Sequence, residues 1–212
     1  MSNKHFVIIL AGGEGKRMQT DTLKQFLVLG KKPVLMHSLM TFYEYDKSSI
    51  LSVVLPKNKI RYWEKICIKY DFNLPHKIFY GGTTRFDSVK NALFKLKMNQ
   101  NDIVSIHDGV RPFISKKLIK KLVNSASKKG HAAPFLVSKD SLRICDNNNY
   151  KTNSVDRQNF RFTQTPQVFK AEIIKNAYKK GNNNSKTDDI SLIEDDVNKV
   201  NLIKGEQINM KI

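Results

Sequence analysis

Short apolar runs alternate with amphipathic stretches along most of this chain. The apolar, β-branched runs predict strands at residues 7–10, 50–55, 77–80, 103–107, 132–137 and 200–203. Apolar residues at helical spacing predict helices at residues 33–43, 58–70, 85–98, 116–128 and 171–179. Strands that alternate with helices form βαβ units, so the pattern predicts one α/β domain over residues 1–212 with a doubly wound, mainly parallel sheet.

The segment between Ser138 and Phe169 departs from this alternation. It holds short β-like pieces on both sides of an asparagine-rich turn at residues 147–149. Such pieces predict a hairpin-like arm, at approximately residues 138–165, that projects from the domain.

Length, hydropathy and cysteine usage predict a soluble protein of the cytoplasm with no membrane partner. The chain has 212 residues and a mean hydropathy of −0.44. No run approaches the roughly 20 apolar residues that span a bilayer, and the apolar run near the N-terminus is too short for a signal peptide. Cys67 and Cys145 lack the spacing of metal ligands, which predicts two free thiols.

The net charge of +18, from 37 basic and 19 acidic residues, raises nucleic-acid binding as an alternative. Thirty of the basic residues are lysines, asparagine is also abundant, and no basic stripe is interleaved with aromatic residues. This composition is what codon bias in an AT-rich coding sequence produces. We therefore expect no nucleic-acid partner, although the charge favours small anionic substrates.

The clearest chemical signal is a glycine-rich turn that follows the first predicted strand. Gly12, Gly13 and Gly15 let the backbone approach a ligand closely, and bare N–H groups there bind anions. The cations Lys16, Arg17 and Lys24 follow and oppose phosphate charge. The spacing is neither GxxxxGK[ST] nor GxGxxG. The alternative is a plain turn whose basic residues are merely solvated.

Two further polar segments, residues 81–85 and 107–111, also follow predicted strands. Ligands of doubly wound sheets bind where the carboxyl ends of the strands meet. The convergence of three such segments predicts a nucleoside triphosphate site at that edge.

Five segments together resemble the 2-C-methyl-D-erythritol 4-phosphate cytidylyltransferases of the non-mevalonate isoprenoid pathway. They are LAGGEGKRM with LKQF, GGTTRFDSV, HDGVRPF, the VDR of NSVDR with TQTPQVF, and NMK. The resemblance implies a Rossmann-like domain whose β-arm interlocks two subunits of a homodimer. It also implies that CTP and methylerythritol phosphate are joined with release of pyrophosphate, with Mg²⁺ or another divalent cation as cofactor.

The resemblance assigns roles to residues that match the family's motifs. Catalysis falls to Arg17, Lys24 and Arg157, the last acting across the dimer interface. The implied CTP-binding residues are Ala11, Gly12, Gly13, Gly15, Lys16, Arg17, Lys24, Gly81, Gly82, Thr83, Ser88, Gly109 and Lys211. The implied residues for methylerythritol phosphate are Asp108, Arg111, Ser141, Arg157 and Thr187, and Asp108 is also the implied metal ligand.

Structural alternatives accompany some of these roles. Asp108, at a strand end, is also suited to capping the following turn, and His107 is expected to pack or hydrogen-bond. Arg85 and Asp87 are expected to pair and shape their loop. Thr83 stands where the family often has an acidic residue, and Ser141 where it usually has threonine.

The family resemblance also predicts a terminal helix beyond NMKI, which this chain lacks, so Lys211 is expected at a frayed end. Two other functions stay open from the sequence. One is a ribitol-5-phosphate cytidylyltransferase, and the other is a non-catalytic, CTP-binding remnant.

Overall fold

A computed structural model of the chain describes residues 3–13, 23–145, 152–181 and 186–212. The helices are α1 (Val34–Tyr45), α2 (Ile60–Lys69), α3 (Arg85–Lys95), α4 (Lys116–Lys129) and α5 (Ala171–Lys180). The strands are β1 (His5–Leu10), β2 (Val28–Leu29), β3 (Lys32–Pro33), β4 (Ile50–Leu55), β5 (Lys77–Tyr80), β6 (Ile103–Asp108), β7 (His131–Val137), β8 (Leu142–Cys145), β9 (Thr152–Val155), β10 (Arg161–Thr163), β11 (Gln167–Lys170) and β12 (Leu202–Lys204).

The main sheet has the strand order β10–β7–β11–β6–β1–β4–β5, with β12 beside β7. Strands β6, β1, β4 and β5 are parallel neighbours, and the register places Leu10 beside Asp108. This parallel part confirms the predicted doubly wound α/β fold. The predicted ranges of β4 and β5 are those observed.

Helices cover both faces of the parallel strands. Alternate residues of β1 point to opposite sides, so Val7 and Ile9 join one apolar cluster while Phe6 and Ile8 join the other. Helices α1, α2 and α4 pack into the first cluster, and α3 and α5 pack into the second. A strand buried on both faces has a continuous apolar sequence, which is the pattern of β1.

Strand β11 was not among the predicted strands. It lies between β6 and β7 and is antiparallel to both. Its first three residues belong to the divergent segment Ser138–Phe169, just after the predicted arm. Only pairing with strands that are distant in sequence shows that this short piece is central to the sheet.

The predicted arm contains a small separate sheet. Strands β8 and β9 pair antiparallel, with Leu142 opposite Val155 and Cys145 opposite Thr152. Strand β10, by contrast, pairs with β7 of the main sheet. Cys67 and Cys145 form no disulfide within the described ranges, as predicted, and Cys145 is exposed at the end of β8. No helix in the described ranges has the length and apolarity to cross a membrane.

Candidate active site

The loops that follow β1, β5 and β6 lie at the same edge of the main sheet. The first residue of each loop is hydrogen-bonded to the backbone of a neighbouring strand. The N–H of Ala11 donates to Val54 O (2.9 Å), that of Gly81 to Leu55 O (2.8 Å), and that of Gly109 to Leu10 O (2.8 Å). The segments after β1, β5 and β6 therefore start from fixed positions at the carboxyl edge.

The glycine turn begins beside a buried glutamine. Gln25 is 1% exposed, and its Nε2 donates to the carbonyl of Ala11 at 2.7 Å and to that of Gly13 at 3.4 Å. Lys24 precedes it in a short 3₁₀ turn, Lys24–Phe26. The sequence analysis gave Gln25 no role, although its place beside Lys24 in the LKQF segment was visible.

The first glycines of the turn are not packed against the rest of the described structure. A methyl group added to Gly12 or Gly13 would meet no atom of the described residues within 4 Å. The implied residues Gly15, Lys16 and Arg17 lie outside the described residues, so their assignment stays a prediction.

The loop before α3 is held by its own helix N-terminus. The Ser88 hydroxyl accepts from the N–H of Gly82 (3.0 Å), and the Asp87 carboxylate accepts from the hydroxyls of Thr83 and Thr84 (both 2.8 Å). The side chain of Thr84 in turn accepts from the N–H of Asp87, which completes a capping box. These side-chain bonds, from Thr84 and then Thr83, lower the pKa of Asp87.

The expected pairing of Arg85 with Asp87 is wrong. Arg85 bonds to Asp189, with Nη1 to Oδ1 at 2.9 Å and Nη2 to Oδ2 at 2.6 Å. Asp87 stands at the third helical position, where the capping donors already occupy its carboxylate. The side chain of Arg85 therefore reaches a buried partner that is distant in sequence.

Asp108 is the last residue of β6, and two cationic side chains contact its carboxylate. Oδ2 of Asp108 accepts from Nε of Arg111 at 3.2 Å and lies 3.3 Å from Nζ of Lys211. Burial by itself raises the pKa of Asp108, but the charges of Lys211, Arg85 and Arg111 outweigh burial and lower it. Asp108 is thus an ionised carboxylate among protein cations.

Asp108 suits a magnesium ion as a single protein ligand. Within the described ranges, no three His, Cys, Asp or Glu side chains come together as a metal site. Mg²⁺ commonly takes one or two carboxylates and completes its shell with substrate phosphates and waters. One ionised carboxylate at the edge where the triphosphate is expected fits that mode of binding.

Buried polar groups hold the backbone behind Asp108. The Thr165 hydroxyl accepts from the N–H of Asp108 (3.0 Å) and contacts Nδ1 of His107 (3.2 Å), while Nε2 of His107 contacts the carbonyl of Arg111 (3.1 Å). Complete burial lowers the pKa of His107 to about 4. His107 therefore packs and hydrogen-bonds as a neutral ring, as the sequence predicted.

The C-terminal segment is anchored, so the expectation of a frayed end around Lys211 is wrong. Asn209 is fully buried, its Nδ2 donates to Thr165 O (2.8 Å), and its carbonyl accepts from Nη1 of Arg111 (2.8 Å). The N–H of Ile212 donates to Val110 O at 3.0 Å. These bonds place Lys211 beside Asp108, which the sequence by itself did not reveal.

Two of the residues that the resemblance assigns to methylerythritol phosphate are not in contact with Asp108 of the same chain in the described ranges. Ser141 is exposed beside β8, and Arg157 is exposed after β9, where its guanidinium donates to the carbonyl of Lys139. In the described ranges, no hydrogen bond or ion pair joins either residue to Asp108. Thr187 instead lines a cleft of about 560 Å³ with Arg85, Tyr178 and their neighbours.

The doubly wound sheet, the glycine turn that begins after β1 and the ionised carboxylate at the end of β6 define a nucleotidyltransferase of the α/β class. A sequence model described as 2-C-methyl-D-erythritol 4-phosphate cytidylyltransferase matches residues 5–212. The chain belongs to this family.

Individual relatives agree over nearly the whole length. A 2-C-methyl-D-erythritol 4-phosphate cytidylyltransferase of Azobacteroides pseudotrichonymphae is 43% identical, covering 98% of this chain and 92% of the relative. One from Phocaeicola vulgatus is 40% identical, covering 99% and 94%. The crystal structure of 4-diphosphocytidyl-2C-methyl-D-erythritol synthase from Anaerococcus prevotii has a TM-score of 0.82 and 29% identity, covering 99% of this chain and 92% of that one.

Proposed function

We propose that this chain transfers the cytidylyl group of CTP to 2-C-methyl-D-erythritol 4-phosphate. A phosphate oxygen of the alcohol phosphate attacks the α-phosphorus, and the bond from that phosphorus to the bridging oxygen breaks. Pyrophosphate leaves and the CDP-alcohol remains. Family membership over residues 5–212 carries this proposal.

The reaction needs positive charge more than covalent chemistry. Negative charge grows on the α-phosphoryl oxygens and on the departing pyrophosphate, so fixed cations lower the barrier. We assign this stabilisation to Arg17 and Lys24, with the glycine turn around the triphosphate. Lys211 is the third cation of this proposal. Its ammonium lies 3.3 Å from the carboxylate of Asp108, so it is already at the edge of the sheet where the triphosphate is expected.

A divalent cation completes the charge balance in this proposal. Asp108 would hold Mg²⁺, which when bound neutralises phosphate charge. Lys211 and Arg111, now on the carboxylate of Asp108, would then turn towards phosphate groups. In this proposal Arg111 binds the alcohol phosphate, and Thr187 contributes a hydroxyl to it.

A second copy of the chain completes the site in this proposal. Ser141 and Arg157 belong to the segment around the β8–β9 hairpin and are exposed, and no hydrogen bond or ion pair in the described ranges joins them to Asp108 of their own chain. Ile144, Phe160 and Phe162 are 58%, 39% and 51% exposed there, which suits a surface covered by a partner subunit. Arg157 of one subunit would then clamp the alcohol phosphate in the other, for which its planar fork is suited.

The base is read by the loop before α3. Gly81, Gly82 and Thr83 offer main-chain and hydroxyl groups to a cytosine edge, with Ser88 fixing the turn. Gly109 follows β6, and a methyl group there would approach Leu35 Cδ1 to 2.8 Å, so the backbone packs without room for a side chain. We place the reaction in the cytoplasm, where CTP is available.

The test is pyrophosphate release by purified protein with CTP, Mg²⁺ and methylerythritol phosphate. Release with ribitol 5-phosphate in place of methylerythritol phosphate would instead support the ribitol enzyme. Binding of CTP in calorimetry without turnover on either alcohol would support a non-catalytic remnant.

Two variants then test the assigned cations. Arg17→Ala and Lys24→Ala should each lower turnover by at least about a hundredfold, the usual cost of removing one transition-state donor. Lys116→Met is a matched control, because Lys116 only forms an exposed pair with Glu44. Near-normal rates in both site variants would contradict the roles of these cations.

A further inference from the structure

A partly buried ion pair joins two parts of the site that are distant in sequence. Arg85 is the first residue of α3, directly after the loop assigned to the base. Its guanidinium donates two hydrogen bonds, of 2.9 and 2.6 Å, to the fully buried carboxylate of Asp189. The two residues are 104 positions apart.

Tyr178 on α5 completes this contact. Its hydroxyl donates to Oδ1 of Asp189 at 2.6 Å, so the carboxylate accepts three charge-assisted or short hydrogen bonds. The ring of Tyr178 also stacks on Phe86, with centroids 4.6 Å apart and planes 18° apart. Helices α3 and α5 thus contact each other through the Phe86–Tyr178 stack, and both bond to the carboxylate of Asp189.

The residues next to Asp189 are hydrogen-bonded to strands of the main sheet. Asp188 accepts from the hydroxyl of Thr163 (2.9 Å) and from Nε2 of Gln167 (2.7 Å). Oε1 of Gln167 accepts from the N–H of Ile190 at 2.8 Å. Thr187, which directly precedes these residues, lines the same cleft as Arg85 and Tyr178.

The chemistry of the pair favours positioning over stabilisation. Such a pair contributes little net stability relative to apolar residues of the same volume, because Asp189 loses its hydration completely and Arg85, whose side chain is 33% exposed, loses most of it. A planar fork on a fixed carboxylate does specify geometry, since both bonds form only in one relative orientation. Arg85 and Asp189 fix the distance between the base loop and Thr187.

We propose that Arg85 is a positioning residue that sets the alcohol-phosphate subsite against bound CTP, acting through Asp189. This inference rests on the proposed function, which wild-type pyrophosphate release tests separately. The loop before α3 is already held by the capping box, and the ion pair sets the position of Thr187 relative to that loop and to the CTP bound there. The alcohol phosphate then finds its hydroxyl partner already in place.

The first experiment measures KM for both substrates in Arg85→Lys and Asp189→Asn. Lysine keeps the charge but loses the fork, and asparagine keeps the shape but loses the charge. We expect KM for methylerythritol phosphate to rise about tenfold while KM for CTP changes less than about threefold. Lys116→Met should change neither KM. Unchanged KM for methylerythritol phosphate in folded Arg85→Lys and Asp189→Asn would overturn the proposal.

A second variant separates positioning from stability. Arg85→Met with Asp189→Leu and Tyr178→Phe replaces the pair and the hydroxyl that donates to it by apolar side chains, which preserves folding if the pair is merely structural. We expect this triple variant to melt near the wild-type temperature and still show the raised KM for methylerythritol phosphate. A stable triple variant with wild-type KM for both substrates would show that the pair only fills space.

Discussion

Acid lability is expected from two buried histidines. His5 lies at the start of β1, opposite the site, with Nδ1 3.0 Å from the Ser49 hydroxyl and Nε2 2.8 Å from the Ser105 hydroxyl. Burial lowers the pKa of His5 to about 4, with a small opposing effect of Asp46, and burial likewise lowers that of His107 to about 4. Both rings are therefore neutral in the folded protein at pH 7.

The magnitude follows from the difference in proton binding. An unfolded histidine titrates near 6.5, so between pH 6.5 and 4 the unfolded chain holds more protons than the folded one. The free energy of unfolding is therefore highest above pH 6.5, and it decreases as the pH falls from 6.5 to 4. From pH 7 to pH 5 each histidine costs about 2 kcal/mol, so the two together cost about 4 kcal/mol. That is a large part of a typical unfolding free energy of about 5–15 kcal/mol.

The assay is urea unfolding at pH 7 and pH 5, followed by the fluorescence of the buried Trp63. His5→Gln removes one titrating site, so its loss of stability over this interval should be smaller than the wild-type loss by about 2 kcal/mol. Ser49→Ala is the control, because it weakens the hydrogen bonding at the ring but leaves the ring to titrate. Equal losses in wild type and His5→Gln would refute the reasoning.

Three site variants give further predictions. In Gly82→Ala the new methyl carbon would lie 2.2 Å from Cβ of Asp87, so we expect a loss of about 1–3 kcal/mol in urea unfolding and weaker CTP binding in calorimetry. Asp108→Asn should stay folded but lose at least about a hundredfold in Mg²⁺-dependent pyrophosphate release, because the ionised carboxylate is gone. Gln25→Leu leaves the carbonyl of Ala11 without its 2.7 Å donor, so it should destabilise by about 1–3 kcal/mol and raise KM for CTP.

Matched changes decide how these results are interpreted. A methyl group on Gly81 meets the Ser88 hydroxyl at 3.1 Å, and a hydroxyl can rotate away, so Gly81→Ala should destabilise less than Gly82→Ala. Equal effects of the two substitutions would contradict the steric argument. Full turnover in Asp108→Asn would exclude Asp108 as the metal ligand, and unchanged stability and KM in Gln25→Leu would remove its role in shaping the turn.

The parallel half of the fold was predictable because its signals are local. Strand β1 is buried on both faces, and its continuous apolar run predicts that burial. Helix α4 is bounded by Ser115, whose hydroxyl accepts from the N–H of Leu118, and by Gly130, whose φ of 88° suits glycine. Such caps and periodicities depend on neighbours within a few residues, so the sequence displays them.

The errors concern contacts between distant segments. Strand β11 is short, and its place between β6 and β7 depends on partners that the local pattern does not mark. Arg85 and Asp87 are close in sequence, but capping donors take the carboxylate of Asp87 and leave Arg85 to Asp189. Proximity along the chain was a poor guide, because Asp87 is occupied by the capping groups of Thr83 and Thr84 while Arg85 bonds to a carboxylate 104 positions away.

The sequence by itself determined the class of fold, the loops at its carboxyl edge and, through shared motifs, the family. Those features depend on residue type and spacing. Only the tertiary structure decided that Asn209 is buried and anchors Lys211 beside Asp108, and that Gln25 supports the glycine turn. These contacts depend on which backbone groups burial leaves in need of partners, and that need arises only when the chain is folded.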